Sequence, residues 1–225
     1  LVGSEMCIRD RTWGISLAPG HEGSLLFRAD WTLPGGNLTF NTVAGSEEDG
    51  VFTLRAKEVR QFYGFSTETG EYIWGPTETR PYLDAFTGGP SGESGIIADG
   101  KLYLGTVGGV LYCHDVNTGT LLWTYALDDP YSEILWSNNW PIEFGFATEG
   151  KVYIFHTEHS SIDPKPRGAP TVCLNSENGE EIWRVDGAFR ATIWGGDPLI
   201  ADSTIVTMST YAVSYTHLRA HETVL

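Results

Sequence analysis

A glycine standing four residues before a tryptophan recurs three times in this chain, and the flanking residues align without gaps. The segments are Phe65-Ser66-Thr67-Glu68-Thr69-Gly70-Glu71-Tyr72-Ile73-Trp74, His114-Asp115-Val116-Asn117-Thr118-Gly119-Thr120-Leu121-Leu122-Trp123 and Leu174-Asn175-Ser176-Glu177-Asn178-Gly179-Glu180-Glu181-Ile182-Trp183. Upstream of each lies a glycine opening a β-rich run: Gly50-Val51-Phe52-Thr53-Leu54, Gly100-Lys101-Leu102-Tyr103-Leu104 and Gly150-Lys151-Val152-Tyr153-Ile154, spaced 50 residues apart each time. A further copy begins at Asp202-Ser203-Thr204-Ile205-Val206. Repetition at roughly 20 to 50 residues constrains a fold more strongly than local propensity does.

The turns determine what one repeat builds. Asp99-Gly100 and Glu149-Gly150 supply the positive φ that tight hairpins need, and Thr69-Gly70, Thr118-Gly119 and Asn178-Gly179 do so for a second hairpin. Two hairpins per repeat make four antiparallel strands. In the second copy these are expected near Gly95–Ala98 (A), at Lys101–Thr106 (B), at Val110–Asp115 (C) and at Thr120–Tyr125 (D). A four-stranded sheet at this period is a propeller blade. The expected fold is therefore all-β: a partial, open β-propeller of about three four-stranded antiparallel blades plus remnants. The blades fall at about 43–75, 94–125 and 143–185, with the start of the next at 197–211, and Trp31 is read as closing an earlier, degenerate blade.

The run LYCHDVNTGTLLW resembles the PQQ-like (quinoprotein-type) β-propeller repeat: an aliphatic-aromatic pair, a small residue, a polar turn ending in Thr-Gly and a closing Trp. CLNSENGEEIW and GFSTETGEYIW are looser copies, and the resemblance spans roughly Val43 to Tyr211. Similar repeats occur in quinoprotein alcohol dehydrogenases and in BamB-type envelope scaffold proteins. The resemblance implies an extracellular or cell-envelope location. It leaves function open, because one fold hosts many activities.

The two ends read differently. Leu1–Asp10 and Val213–Glu222 can be encoded by inverted copies of one DNA segment, and both resemble translated sequencing adapter. Residues 1–11 and 213–225 are therefore read as non-native tails around a propeller segment at 12–212. On that reading Met6 marks no start codon, Cys7 is no thiol of the protein, and His217 with His221 is no metal pair.

A net charge of −15 without a Lys/Arg cluster argues against a nucleic-acid partner. No apolar run approaches the roughly 18 residues of a membrane span. GxSxG, HExxH and CxxC are all missing, and the Gly-rich stretch Gly88–Gly95 lacks the Lys of a phosphate loop.

Trp74, Trp123 and Trp183 could form a stacking platform for a planar cofactor, or wedges between blades; the repeat favours wedges, since recurring residues sit at repeat interfaces. With Gly70, Gly119 and Gly179 they make up the structural repeat set. Cys113 and Cys173 occupy equivalent positions in successive repeats and are expected to be buried free thiols. No Cys-Cys pair of the kind found beside the cofactor in quinoprotein alcohol dehydrogenases occurs.

The B–C and D–A connections emerge on one face of every blade, and the long segments lie there. The ligand-face candidates are Trp136, Asn138, Asn139, Trp140, Glu143, Trp194 and Asp197, in segments that also carry Tyr131, Arg190, Gly195 and Gly196; His156–Ala169 is a further insertion. Such a set suits a sugar, a peptide or a quinone ring, or else the aromatics pack the loops themselves. Asp128, Asp129 and Glu133 match no EF-hand spacing, His156 and His159 have no third ligand, and no metal site is assigned. Asn37-Leu38-Thr39 is a glycosylation sequon.

The preferred reading is a non-catalytic extracytoplasmic module binding a protein or glycan through its loop face, with no cofactor evident. The alternative is a piece of a PQQ- and calcium-dependent dehydrogenase. Three blades cannot close a ring that commonly takes about 4 to 8, so the terminal blades expose apolar faces. The purified chain is expected to oligomerise or aggregate, and a monodisperse monomer in size-exclusion chromatography would count against this.

Overall fold

The computed structural model describes residues 9–32, 34, 37–85, 95–128, 139–140, 142–155, 170–185, 199–201 and 204–206. Among them are strands and one short 3-10 turn, Tyr82–Ala85. No helix is long and apolar enough to cross a membrane.

Three four-stranded antiparallel sheets carry the fold, and none closes into a barrel. The first joins β3 (Phe40–Ser46), β4 (Val51–Ala56), β5 (Gln61–Ser66) and β6 (Tyr72–Trp74) in chain order. The second joins β7 (Gly95–Ala98), β8 (Lys101–Gly105), β9 (Val110–Asp115) and β10 (Leu121–Ala126). The third joins β11 (Glu143–Thr148), β12 (Lys151–Phe155), β13 (Thr171–Asn175) and β14 (Glu181–Val185). Two hairpins accompany them, β1 (Arg9–Ile15) with β2 (Leu25–Thr32), and β15 (Leu199–Ala201) with β16 (Thr204–Val206). The sheets are blades of a partial, open propeller. Strand β1 begins at Arg9, inside the first eleven residues, and Arg11 Nε bonds Asp30 Oδ1 at 2.5 Å.

The chain divides into two compact units. One comprises Leu1–Ala85, Ile96–Tyr103 and His114–Leu122; the other comprises Phe86–Gly95, Leu104–Cys113 and Trp123–Leu225.

In the first unit, one face of the β3–β6 sheet buries Ala56, Tyr63 and Phe65, with Trp31, Leu38, Phe40, Phe52, Leu54 and Val59 packed against them. Trp31 meets Phe65 and Phe40 edge-on at ring distances of 4.8 and 5.1 Å. That edge-to-face arrangement sets positive ring edges against negative faces. The opposite face presents Trp74, whose indole N–H donates to the Val116 carbonyl at 2.6 Å while its ring covers Gly119. The second unit repeats this contact: Trp123 donates to the Ser176 carbonyl at 3.0 Å and covers Gly179.

The contact requires glycine twice over. Gly119 holds φ of 70° and Gly179 of 72°, and a Cβ at either position would overlap the tryptophan ring. The ring therefore lies directly on main chain.

Gly70 is covered in the same way, but by Phe27 of β2, and the Thr12 hydroxyl donates to its carbonyl at 2.7 Å. This corrects the reading of Trp31. The residue standing where Trp74 and Trp123 stand is Phe27, four residues after Gly23. Three further features agree. Gly14 pairs with Phe27 across the ladder as Gly64 pairs with Trp74 and Cys173 with Trp183. Gly23 donates to the Ser16 carbonyl as Gly70 does to Ser66, Gly119 to Asp115 and Gly179 to Asn175. Ser16 N–H in turn bonds the Ser24 carbonyl, as Asp115 bonds Thr120. The β1–β2 hairpin is thus the C–D half of a preceding blade, with a longer turn and with phenylalanine in place of tryptophan.

Both Gly100 and Gly119 have positive φ, but only Gly119 is covered. Gly100→Ala should cost about 1 kcal/mol, the left-handed strain alone. Gly119→Ala should cost about 3 kcal/mol or more, because overpacking adds to the strain. Urea unfolding followed by tryptophan fluorescence checks the difference; equal losses would show that Trp74 does not depend on a bare backbone at Gly119.

Candidate functional site

The structure brings polar groups together in two places, one in each unit. In the first unit the chain leaving β6 runs back along β5, with Thr77 N–H bonding the Phe62 carbonyl at 3.1 Å and Arg80 N–H the Arg60 carbonyl at 3.4 Å. This delivers Arg80, a buried residue, with its guanidinium carbon 4.8 Å from the Phe62 ring centre. Arg60 Nε donates to the Arg80 carbonyl at 2.8 Å, and the buried Arg55 donates through Nη2 to the Asp84 carbonyl, also at 2.8 Å.

Arg80 Nη2 lies 2.8 Å from Nε2 of His114, and Nδ1 of His114 lies 2.9 Å from the Gly119 carbonyl. These partners fix the imidazole's proton. A guanidinium only donates, so Nε2 must accept; a carbonyl only accepts, so Nδ1 must carry the hydrogen. His114 is therefore neutral. Burial first, and then the positive charge of Arg80, push its pKa down to about 4. With both nitrogens engaged, the ring joins the connection after β6 to the repeat turn that Trp74 covers.

The second place is the neck of the long connection after β10. Asp128 and Asn139 form an isolated antiparallel bridge, so the chain leaves and returns at one point. That point lies against the β8–β9 turn: Leu127 N–H bonds Gly109 at 2.8 Å, Ile142 N–H bonds Thr106 at 2.9 Å and Asn139 Nδ2 donates to Gly108 at 3.1 Å. Trp140 N–H bonds the Leu127 carbonyl at 2.7 Å, and Arg184 Nη2 donates to the Asp128 carbonyl at 3.1 Å.

Of the ligand-face candidates, Asn139 is half-buried and fastened to the turn, and Glu143 begins β11 opposite Phe155. Trp140 corrects the expectation of an exposed ring: its side chain is 1% exposed and anchors the connection. Trp136, Asn138, Trp194 and Asp197 lie outside the described residues, as do Tyr131, Arg190, Gly195, Gly196, Asp129, Glu133 and the insertion His156–Ala169. Cys113 and Cys173 are free and buried, and burial raises the Cys173 pKa. Among the described residues no group of three or more His, Cys, Asp or Glu side chains is placed to hold a metal ion.

The Arg80–His114 pair was not anticipated from the sequence, although a signal exists. His114 aligns with Phe65 and Leu174, both core residues, so a titratable ring occupies an apolar repeat position. Arg55 is likewise a charge within a buried central strand.

A family model described as outer membrane protein assembly factor BamB matches residues 62–139. Among solved structures, BamB from Moraxella catarrhalis is similar with a TM-score of 0.50 and 16% identity, over 86% of this chain and 47% of that one. The quinohemoprotein alcohol dehydrogenase ADHIIG from Pseudomonas putida HK5 gives a TM-score of 0.44 and 20% identity, over 61% of this chain and 19% of that one. The chain thus spans about half of the BamB structure and about a fifth of the dehydrogenase. No curated protein matches it significantly.

His114 predicts a pH dependence. Its folded pKa, about 4, lies below the ordinary value of 6.5, so between these values the unfolded chain binds the proton more readily. The stability it contributes is complete above pH 6.5 and is lost as pH falls toward 4, by up to about 3 kcal/mol. Urea midpoints at pH 7.0, 5.5 and 4.5 should fall in that order, and His114→Leu, which installs the residue found at Leu174, should flatten the trend. An unchanged trend in the variant would assign it to other groups.

Proposed function

We propose that this chain, a stretch of PQQ-like β-propeller repeats of the BamB type, is a non-catalytic binding module of the cell envelope that engages a protein through its loop face. The observation that carries the reading is the match of residues 62–139 to a model described as an outer membrane protein assembly factor. An assembly factor works on other proteins, and the cell envelope is where that description puts it. The local geometry supports the same reading. The connection after β10 is tied at its neck by main-chain bonds and by the buried Trp140, a construction that holds a loop at a defined place for recognition. Within the loop, Trp136 and Asn138 are the residues we assign to partner contact, with Trp194 and Asp197 contributed from the later connection.

The competing reading, a PQQ- and calcium-dependent dehydrogenase, is separated by one experiment. The protein is incubated with PQQ and calcium chloride and assayed for dye reduction with ethanol and with glucose, while PQQ binding is followed by fluorescence titration. We expect neither saturable binding nor turnover; saturable binding with alcohol-dependent dye reduction would replace the module with an enzyme. In parallel, a peptide array of outer-membrane β-strand sequences should show binding that Trp136→Ala reduces at least tenfold. An array with no binding to the unsubstituted chain would remove the protein-partner assignment.

A further inference from the structure

We propose that the 225-residue chain pairs with a second copy of itself by blade completion, the β15–β16 hairpin of each copy docking on the β1 edge of the other. The inference rests on strand roles and is independent of the proposed function.

The β1–β2 hairpin is a C–D half-blade, as its ladder pairs and turn bonds show. The β15–β16 hairpin is the complementary A–B half. Its sequence Leu199-Ile200-Ala201-Asp202 repeats Ile96-Ile97-Ala98-Asp99 of the β7–β8 hairpin, and its register joins Ala201 to Thr204 across a two-residue turn as Thr148 is joined to Lys151. Among the described residues β1 pairs only with β2 and β16 only with β15, so the chain's own A–B half does not occupy the β1 edge.

The exposure of the β1–β2 hairpin shows what that edge lacks. Leu17 is 86% exposed, yet the equivalent residues Val116 and Ser176 are 0% and 2% exposed. In the whole blades the N–H of this residue bonds the glycine of the A–B turn, Val116 to Gly100 and Ser176 to Gly150. Ile15 is 58% exposed, while its equivalents Phe65 and Leu174 are fully buried. The hairpin therefore carries interior residues at interior positions and is short of the two strands that cover them elsewhere. A hairpin of A–B type supplies both the main-chain partners and the apolar cover.

The register follows from the complete blades. Lys151 pairs with Asn175, Val152 with Leu174 and Tyr153 with Cys173, and β4–β5 repeats the pattern with Val51 on Ser66 and Phe52 on Phe65. Transferred to the composite blade, Thr204 pairs with Ser16, Ile205 with Ile15 and Val206 with Gly14. Exchange in both directions makes the interface two-fold and self-complementary. Two copies then hold six complete and two composite blades, within the range of about 4 to 8 over which propellers close.

Directly opposed residues in an antiparallel pair have Cα atoms about 4.5 to 5.5 Å apart, within disulfide reach. In a Cys7→Ser background, chains carrying Ile15→Cys are mixed with chains carrying Ile205→Cys, refolded together from urea and oxidised mildly. A covalent heterodimer on a non-reducing gel, lost on reduction, is expected, together with a dimer mass by light scattering. Absence of the cross-link in a dimeric sample would overturn the proposal, as would an intrachain disulfide in monomers of the Ile15→Cys/Ile205→Cys double variant. If the cysteine variants do not fold by circular dichroism, the unsubstituted chain decides: a monomer at 50 μM overturns the proposal, and a dimer that Ile205→Asp converts to monomer sustains it.

Discussion

The structure depends on an aromatic ring laid on bare main chain. Trp74 on Gly119, Trp123 on Gly179 and Phe27 on Gly70 are one contact made three times. In the two tryptophan cases the indole N–H also reaches a carbonyl just beyond the C strand, Val116 or Ser176. The contact couples two requirements that few positions meet together. The turn needs a left-handed residue, and the ring needs a residue without a Cβ; glycine satisfies both. A large apolar side chain loses its water while its one polar atom keeps a hydrogen bond, so burial carries no polar penalty.

The polar groups gather around that same contact. His114 bonds the carbonyl of Gly119, beneath the Trp74 ring, and receives a hydrogen bond from Arg80. A neutral, doubly bonded imidazole is a structural link whose strength varies with pH, because protonation would set two positive charges side by side in a buried place. The neck of the connection after β10 is simpler: main-chain bonds to the β8–β9 turn, an asparagine amide and a buried tryptophan hold it, and the residues beyond the neck are offered for contact. One place stabilises, and the other presents.

Much of the fold was legible from glycine and tryptophan spacing. The strands of the second blade lie at Gly95–Ala98, Lys101–Gly105, Val110–Asp115 and Leu121–Ala126, within a residue of where turn chemistry put them. The half-blade at the start was harder to see. Its turn is longer, with Gly23 seven residues after Ser16 where Gly70 is four after Ser66, and its ring is Phe27, so attention fell on Trp31. Trp31 instead fills the face formed by Phe40, Tyr63 and Phe65. Trp140 misled for a related reason: loop position suggests exposure, but a ring beside a main-chain bridge can turn inward.

By itself the sequence determined the repeat, the four strands of each blade, and the positions where glycine meets an aromatic ring, because each of these is a local requirement written in turn residues and spacing. Tertiary structure alone decided which ring covers which glycine, that His114 is a neutral link to Arg80, and that β1–β2 and β15–β16 are complementary halves of a blade. Those outcomes depend on which distant strands are adjacent, and adjacency across tens of residues is not encoded in any local pattern.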